Sequence, residues 1–371
     1  MNRRNIFKAL ALGTISLPIA IRALMGEGNA QKSSSPSMAS QPTYKWKMTT
    51  TWPPNFPVLD EACKLFAQLI EQMSSGQMKI HVYGGGELAP PLEAFNTVRQ
   101  GGAEIGSGAG YYWAGLAPSA QFFATVPFGM NAQQHTSWIM TGGGMELWKE
   151  LYNTFNLVPF LGGNTGVQMG GWFNREINSM QDIKGLKMRI PGLGGTVFEK
   201  AGGSQVLMPG SELYTSLERG VIDATEWLGP YHDTKMGFHE IAQYYYTPGW
   251  HEPGTALEFF VNKEKFDKLS PALQAIFQSA SYHTHLWAWM EMERRNAEAL
   301  GGLVEKNVQV KQFPKEVIDE FRRLTKEVIH DLGQSDPFSK KVYQSFSKFQ
   351  KQAYKYATIT EKRFYNELQL E

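Results

Sequence analysis

The chain has 371 residues, 42% hydrophobic and 19% charged, a globular balance long enough for two domains. Lys+Arg 36 against Asp+Glu 35 gives a net charge of +1. The first thirty residues carry Arg3, Arg4, Lys8 and Arg22 against Glu27, so the body is slightly acidic. It lacks the concentrated basic face a nucleic-acid partner requires.

The chain opens on "MNRRNIFKALALGTISLPIAIRALMGEGNA". A basic start precedes an apolar run from Ala9 to Ile21, too short and too weakly apolar for a membrane span. Small residues in "GNA" suit a cleavage site, so residues 1–30 are expected to be an export signal. The Arg3–Arg4 pair ahead of the apolar run fits the twin-arginine type; the alternative is an ordinary secretory signal. Export predicts a periplasmic location. Residues 31–43 include the Ser/Pro-rich "QKSSSPSMASQP", a flexible tether.

"YKWKMTTTW" alternates like a strand. Leu59, Ala62, Cys63, Phe66, Leu69, Ile70 and Met73 recur with helical period, predicting a helix over 59–73. The single cysteine excludes an internal disulfide, and its place on that apolar face predicts core filling. "MKIHVYGGG" reads as a strand, "PLEAFNTVRQGG" as a helix stopped by glycine, and "AEIGSGAGYYWAG" as a strand running into a loop. This alternation predicts a parallel sheet covered by helices.

A second α/β unit begins near Gln168. "LKMRIP", "SQVLMP" and "VIDATEW" read as its strands, with "SELYTSLERG" as a helix capped by Ser211. "WHEPGTALEFFVN" predicts a long strand returning to the first unit. Ser270 and Pro271 open a helix reaching about Leu300, and another covers 315–332. The tail from Ser339 to Leu368 has no internal Gly or Pro and reads as one last helix. Val342, Phe346, Phe349, Ala353, Tyr356 and Ala357 form a stripe along it, fit either to pack on its own lobe or to grip a second subunit.

Enzyme signatures are missing. "GSGAGY" breaks a dinucleotide-binding loop at Tyr111, and "EIGSGAG" puts Ile105 where a nucleophile elbow needs glycine. "HEIAQ" and "HEPGT" lack the second histidine of a zinc-protease helix. The eight histidines show no ligand spacing. Binding without turnover is the expectation.

"GLKMRIPGLGGTVFEKAGGSQVLMPGSELYTSLERGVIDATEWLGP" resembles the solute-binding proteins of TRAP transporters, dense in G-L-K-x-R-I-P and M-P-x-S-E-L-Y-x-x-L-x-x-G-V-I-D. The likeness runs in weaker form from about Tyr44 to the last helices. It implies a two-lobed α/β periplasmic-binding-protein fold, class II-like, with linking strands, a long spanning helix and an extended C-terminal helix. The implied boundaries are 44–165 plus 256–335 for lobe I, 166–255 for lobe II and 336–371 for the C-terminal helix. The implied partners are a small carboxylic acid, a membrane permease and, through the last helix, a second copy of the chain.

The resemblance gives Arg189 the ligand carboxylate, a role that suits its planar fork of donors. Glu226–Trp227 departs from the commonest branch, which has Asn near Trp227. With Gln168 in "GNTGVQMGGWF" and Glu252 in "WHEPG", it resembles the branch that holds short 2-oxo acids such as pyruvate, or lactate, together with a cation. There the Glu226 side chain, the Trp227 carbonyl, Glu252 and the Gln168 amide oxygen would hold the ion, with the Gln168 NH2 turned to the acid. An all-oxygen set selects a hard ion, Na+ or Ca2+. Two glutamates and a substrate carboxylate against Arg189 lean the charge count to calcium without deciding it.

Glu226 has no basic residue near it in sequence, and the expectation is that the ion supplies its counter-charge. Tyr111 or Tyr112, at a strand end, would reach across to the acid, and Trp172 and Phe123 would line its apolar side. The alternatives are an exported metal-dependent enzyme acting on oxo acids and a sensory protein of the same fold.

Overall fold

The computed structural model of the chain describes residues 43–368, apart from 307. The expected export signal and all of the tether but Thr43 lie outside the described residues. Eleven strands appear among the described residues, in two sheets.

The first sheet has the order β2-β1-β3-β10-β4, with β1 at Tyr44–Thr50, β2 at Met78–Tyr83, β3 at Ile105–Gly108, β4 at Leu157–Asn164 and β10 at Ala256–Asn262. β1 pairs parallel with both neighbours. Parallel pairing needs a crossover, and the helix Leu59–Met73 supplies the one between β1 and β2. Cys63, Phe66 and Ile70 are buried on it, so the cysteine fills core as expected. Its acidic first turn, Asp60 and Glu61, suits the positive end of the helix dipole. β10 lies antiparallel between β3 and β4, every residue of "ALEFFVN" buried, as befits a central strand covered on both faces.

The second sheet has the order β11-β9-β5-β8-β6-β7. Its strands are short: β5 Gly171–Phe173, β6 Lys187–Arg189, β7 Ser204–Val206, β8 Ala224–Thr225, β9 Tyr244–Thr247 and β11 Gln309–Gln312. β6 runs parallel to β7 and β8, while β5 is antiparallel to β8 and β9. Here the expected boundaries need correcting. β11 follows the long helix Pro271–Glu305 yet pairs with β9, so residues 256–335 do not all belong to the first lobe. That long helix packs on β4, on Leu59–Met73 and on the helix Pro230–Lys235 of the second lobe, spanning both. Ser270 Oγ accepts from the Leu273 amide at 3.3 Å, an N-cap.

Two further expectations change. Ser211 caps no helix: it sits within a 3-10 turn, Gly210–Glu212, that precedes the helix Leu213–Glu218. The tail is not one helix. It starts earlier, at Pro337, where Asp336 caps it through the Phe338 and Ser339 amides, and ends at Ala357. The Thr358–Ile359–Thr360 stretch is β-branched, and both threonine hydroxyls donate back to carbonyls four residues earlier. Such residues weaken a helix without any Gly or Pro. Val342 and Phe346 are buried against the first lobe, whereas Tyr356, Ile359, Phe364, Tyr365 and Leu368 are exposed. No described helix is long and apolar enough to cross a membrane.

The chain crosses between the sheets at residues 165–170, from β4 to β5, and again at 248–255, from β9 to β10. The crossings are bonded together: the Thr165 amide donates to the Thr255 carbonyl at 3.0 Å, and the Gln168 amide to the Glu252 carbonyl at 3.2 Å. The approach demands glycine at 249, where a Cβ would lie 2.0 Å from the Gln168 carbonyl oxygen.

Candidate functional site

In α/β sheets, ligands gather beyond the carboxyl ends of strands. Arg189 is the last residue of β6, Glu226 follows β8, and the 3-10 turn Gly110–Trp113 follows β3 with Tyr111 and Tyr112 on it. β6 and β8 are parallel neighbours, with Arg189 opposite Thr225. Arg189 and Glu226 are therefore side by side although 37 positions apart.

Both are 1% exposed and form an ion pair, Nη1 to Oε1. Arg189 Nε donates to the Met208 carbonyl at 3.3 Å, and Nη2 to the Tyr112 hydroxyl at 3.4 Å. The Trp227 ring lies 5.4 Å from the guanidinium carbon, a cation–π contact. Burial works against the Arg189 charge, but Glu226 together with Tyr112 and Tyr111 outweighs it and holds the pKa above its ordinary value. This corrects the expectation that Glu226 lacks a basic partner. The partner is Arg189, delivered by strand pairing rather than by nearness in sequence.

The rest of the cluster comes from the crossings. Glu252 accepts from Gln168 Nε2 at 2.7 Å and from the Thr255 hydroxyl. Burial, with Glu226 adding to it, pushes the Glu252 carboxyl up to about 7. His251 Nε2 lies 3.5 Å from the other oxygen of Glu226, and neither of its ring nitrogens has a hydrogen-bond partner among the described residues. Ligand atoms of Glu226, His251 and Glu252 all lie within 4.8 Å of one another, and all three residues are buried. Gln168 Oε1 is a buried acceptor without a donor among the described residues. A buried acceptor is normally satisfied, so an orphan beside two carboxylates marks a place for a cation. The residues present thus fit an oxygen-seeking ion.

His251 is a residue that sequence reasoning missed. Its only signal was adjacency to Glu252 in "WHEPG", because the third member, Glu226, lies 25 positions earlier. Of the two tyrosines, Tyr112 touches Arg189. Tyr111 packs against Gly192, whose φ of +61° and missing Cβ admit the ring at that point. Burial raises the pKa of both tyrosines, so both hydroxyls keep their protons.

Trp172 and Phe123 take core positions instead of those expected. Trp172 is fully buried, stacked on Tyr245 at 4.2 Å, and its ring N–H donates to Asp233. Phe123 is stacked between Trp138 and Trp148, each at 5.5 Å.

Residues 48–336 match the family model of bacterial extracellular solute-binding proteins, family 7. The chain belongs to that family. It is therefore a solute-binding receptor and not an enzyme. The monocarboxylate 2-oxoacid-binding periplasmic protein of Nostoc sp. is 36% identical over 366 residues, 99% of this chain and 98% of its own length. A TRAP periplasmic solute-binding protein of Colwellia psychrerythraea, solved with calcium and pyruvate, is 40% identical with a TM-score of 0.85, over 87% of this chain and 99% of its own. One from Pseudoalteromonas atlantica, solved with sodium and pyruvate, is 40% identical with a TM-score of 0.86, over 88% and 100%. The two-lobed α/β expectation holds.

Proposed function

We propose that this chain captures a short 2-oxo monocarboxylate of the pyruvate type together with Na+ or Ca2+, and presents it to a TRAP permease. The buried Arg189–Glu226–Glu252 cluster with the orphan Gln168 oxygen carries this reading. The ligands of its Nostoc, Colwellia and Pseudoalteromonas relatives support it.

In this reading Arg189 forks onto the substrate carboxylate, and Tyr112 adds a hydroxyl from the first lobe. Glu226, Glu252, the Trp227 carbonyl and the Gln168 amide oxygen hold the cation, with His251 as a further contact. Arg189 answers only one of the two buried acids, and a cation there would supply the positive charge that the other acid and the substrate carboxylate lack. Gln168 and Glu252 stand on the two crossings between the sheets. Filling the site therefore acts at the pivot, and the lobes close when both carboxylate and cation are bound.

Calorimetry with pyruvate decides it. The mature protein, treated with chelator and exchanged into a buffer free of Na+, should give no heat; Na+ or Ca2+ should restore binding. A folded protein silent with either ion overturns the reading.

Two finer features belong to it. The exposed Tyr356, Ile359, Phe364, Tyr365 and Leu368 would meet a second copy, and truncation after Ala357 should halve the mass seen by light scattering. Export would use Arg3–Arg4, and changing both to Lys should keep the protein out of the periplasm.

A further inference from the structure

Asp233 is 1% exposed and has no ion-pair partner among the described residues. It has three neutral donors instead. Oδ2 accepts from Trp172 Nε1 at 3.0 Å and from the Tyr245 hydroxyl at 2.8 Å. Those two rings are stacked, so the carboxylate is gripped by a rigid pair. Oδ1 accepts from the Leu228 amide at 3.1 Å. Burial, opposed by these donors, leaves its pKa at about 7.

The Leu228 N–H belongs to the same peptide unit as the Trp227 carbonyl. That unit is planar and trans, so its N–H and C=O point opposite ways. Fixing one end fixes the other. An acceptor on the N–H also draws electron density toward the oxygen, making it a better ligand. Among the described residues nothing donates to the Trp227 carbonyl.

We propose that Asp233 is a positioning residue for the cation: through the peptide unit of Trp227 and Leu228 it orients and polarises the Trp227 carbonyl. This gives the buried Trp172 a job too, since its ring N–H holds Asp233 rather than the substrate. The inference rests on the reading of Trp227 as an ion ligand. Partners that orient metal ligands from behind commonly govern affinity in this way.

Asp233→Asn tests it. The variant keeps the size and one acceptor oxygen, and loses the charge. At saturating pyruvate, the Na+ or Ca2+ concentration for half-binding should rise about 10- to 100-fold. Pyruvate affinity at saturating ion should change less than threefold. In the ion-free protein the Leu228 amide proton should move upfield. An unchanged ion midpoint in the folded variant overturns the proposal.

Should the variant not fold, the wild type labelled at the Trp227 carbonyl carbon serves. Adding the ion without pyruvate should move that carbon and the Leu228 amide together. Stillness of both, with ion-dependent pyruvate binding intact, removes the Trp227 carbonyl from the ion's ligands and overturns the role of Asp233 with it. Pyruvate binding by the wild type without any ion overturns the ion-assisted reading and the inference with it.

Discussion

Glu258 on β10 and Glu226 after β8 are equally buried, at 1% exposure each, yet their surroundings differ in kind. Among the described residues Glu258 meets only neutral donors. Tyr152 donates to it at 2.8 Å and Trp113 at 2.9 Å, and burial pushes its pKa up to about 8. The raised pKa favours its protonated form, and it fastens the end of the turn that carries Tyr112. Glu226 faces a guanidinium and an imidazole, with a second acid close by. The first sheet thus buries an acid by letting it take a proton. The second buries one by keeping charges in opposition, which is costly unless something is to be bound there.

Breaking the second arrangement should have the largest effect. Arg189→Ala leaves two acids facing each other, a loss of about 3–5 kcal/mol, and pyruvate heats should fall beyond detection. Arg189→Lys keeps the charge without the fork, so a folded but much weaker binder is expected in the same titration.

Glu258→Gln probes the first arrangement by pH. The Glu258 carboxyl binds its proton more tightly folded than unfolded, where its pKa is near 4.5. Its contribution therefore falls as pH rises from about 4.5 through about 8. Between pH 6 and pH 9 the wild type should lose about 3 kcal/mol that the variant keeps. Melting curves of both at the two pH values check it; parallel losses would mean Glu258 is already ionised at pH 6.

With the ion already saturating, adding pyruvate at about one hundred times its dissociation constant should stabilise the fold by about 2.7 kcal/mol, and removing the ion should reverse the gain. Differential scanning calorimetry reads it. A smaller effect should follow Tyr112→Phe, about 0.5–1.5 kcal/mol in pyruvate affinity. Tyr111→Phe should change less, and the opposite order would exchange the roles of the two tyrosines.

What the sequence disclosed was local. The helix Leu59–Met73 and the cap at Ser270 follow from spacing within a few residues, and both were legible. What it concealed was pairing. β11 joins β9 from across the spanning helix, and "YYYT" offers no alternation to announce β9. Arg189 meets Glu226 only because β6 and β8 lie side by side, and His251 joins them only because the crossing returns there. The resemblance named Arg189, Glu226, Glu252 and Gln168. It could not say that the arginine and the glutamate touch, or that Trp172 serves an aspartate.

The place of β10 bears on how the molecule is made. The first sheet is interrupted in sequence: β3 and β4 are joined only by a strand that begins at residue 256. In a chain growing from its amino end, that sheet stays split until the whole of β5–β9 has been synthesised. The second sheet by then needs only β11, an edge strand. Each sheet is thus completed by one late strand, β10 for the first and then β11 for the second, and neither lobe can finish before most of the chain has been made.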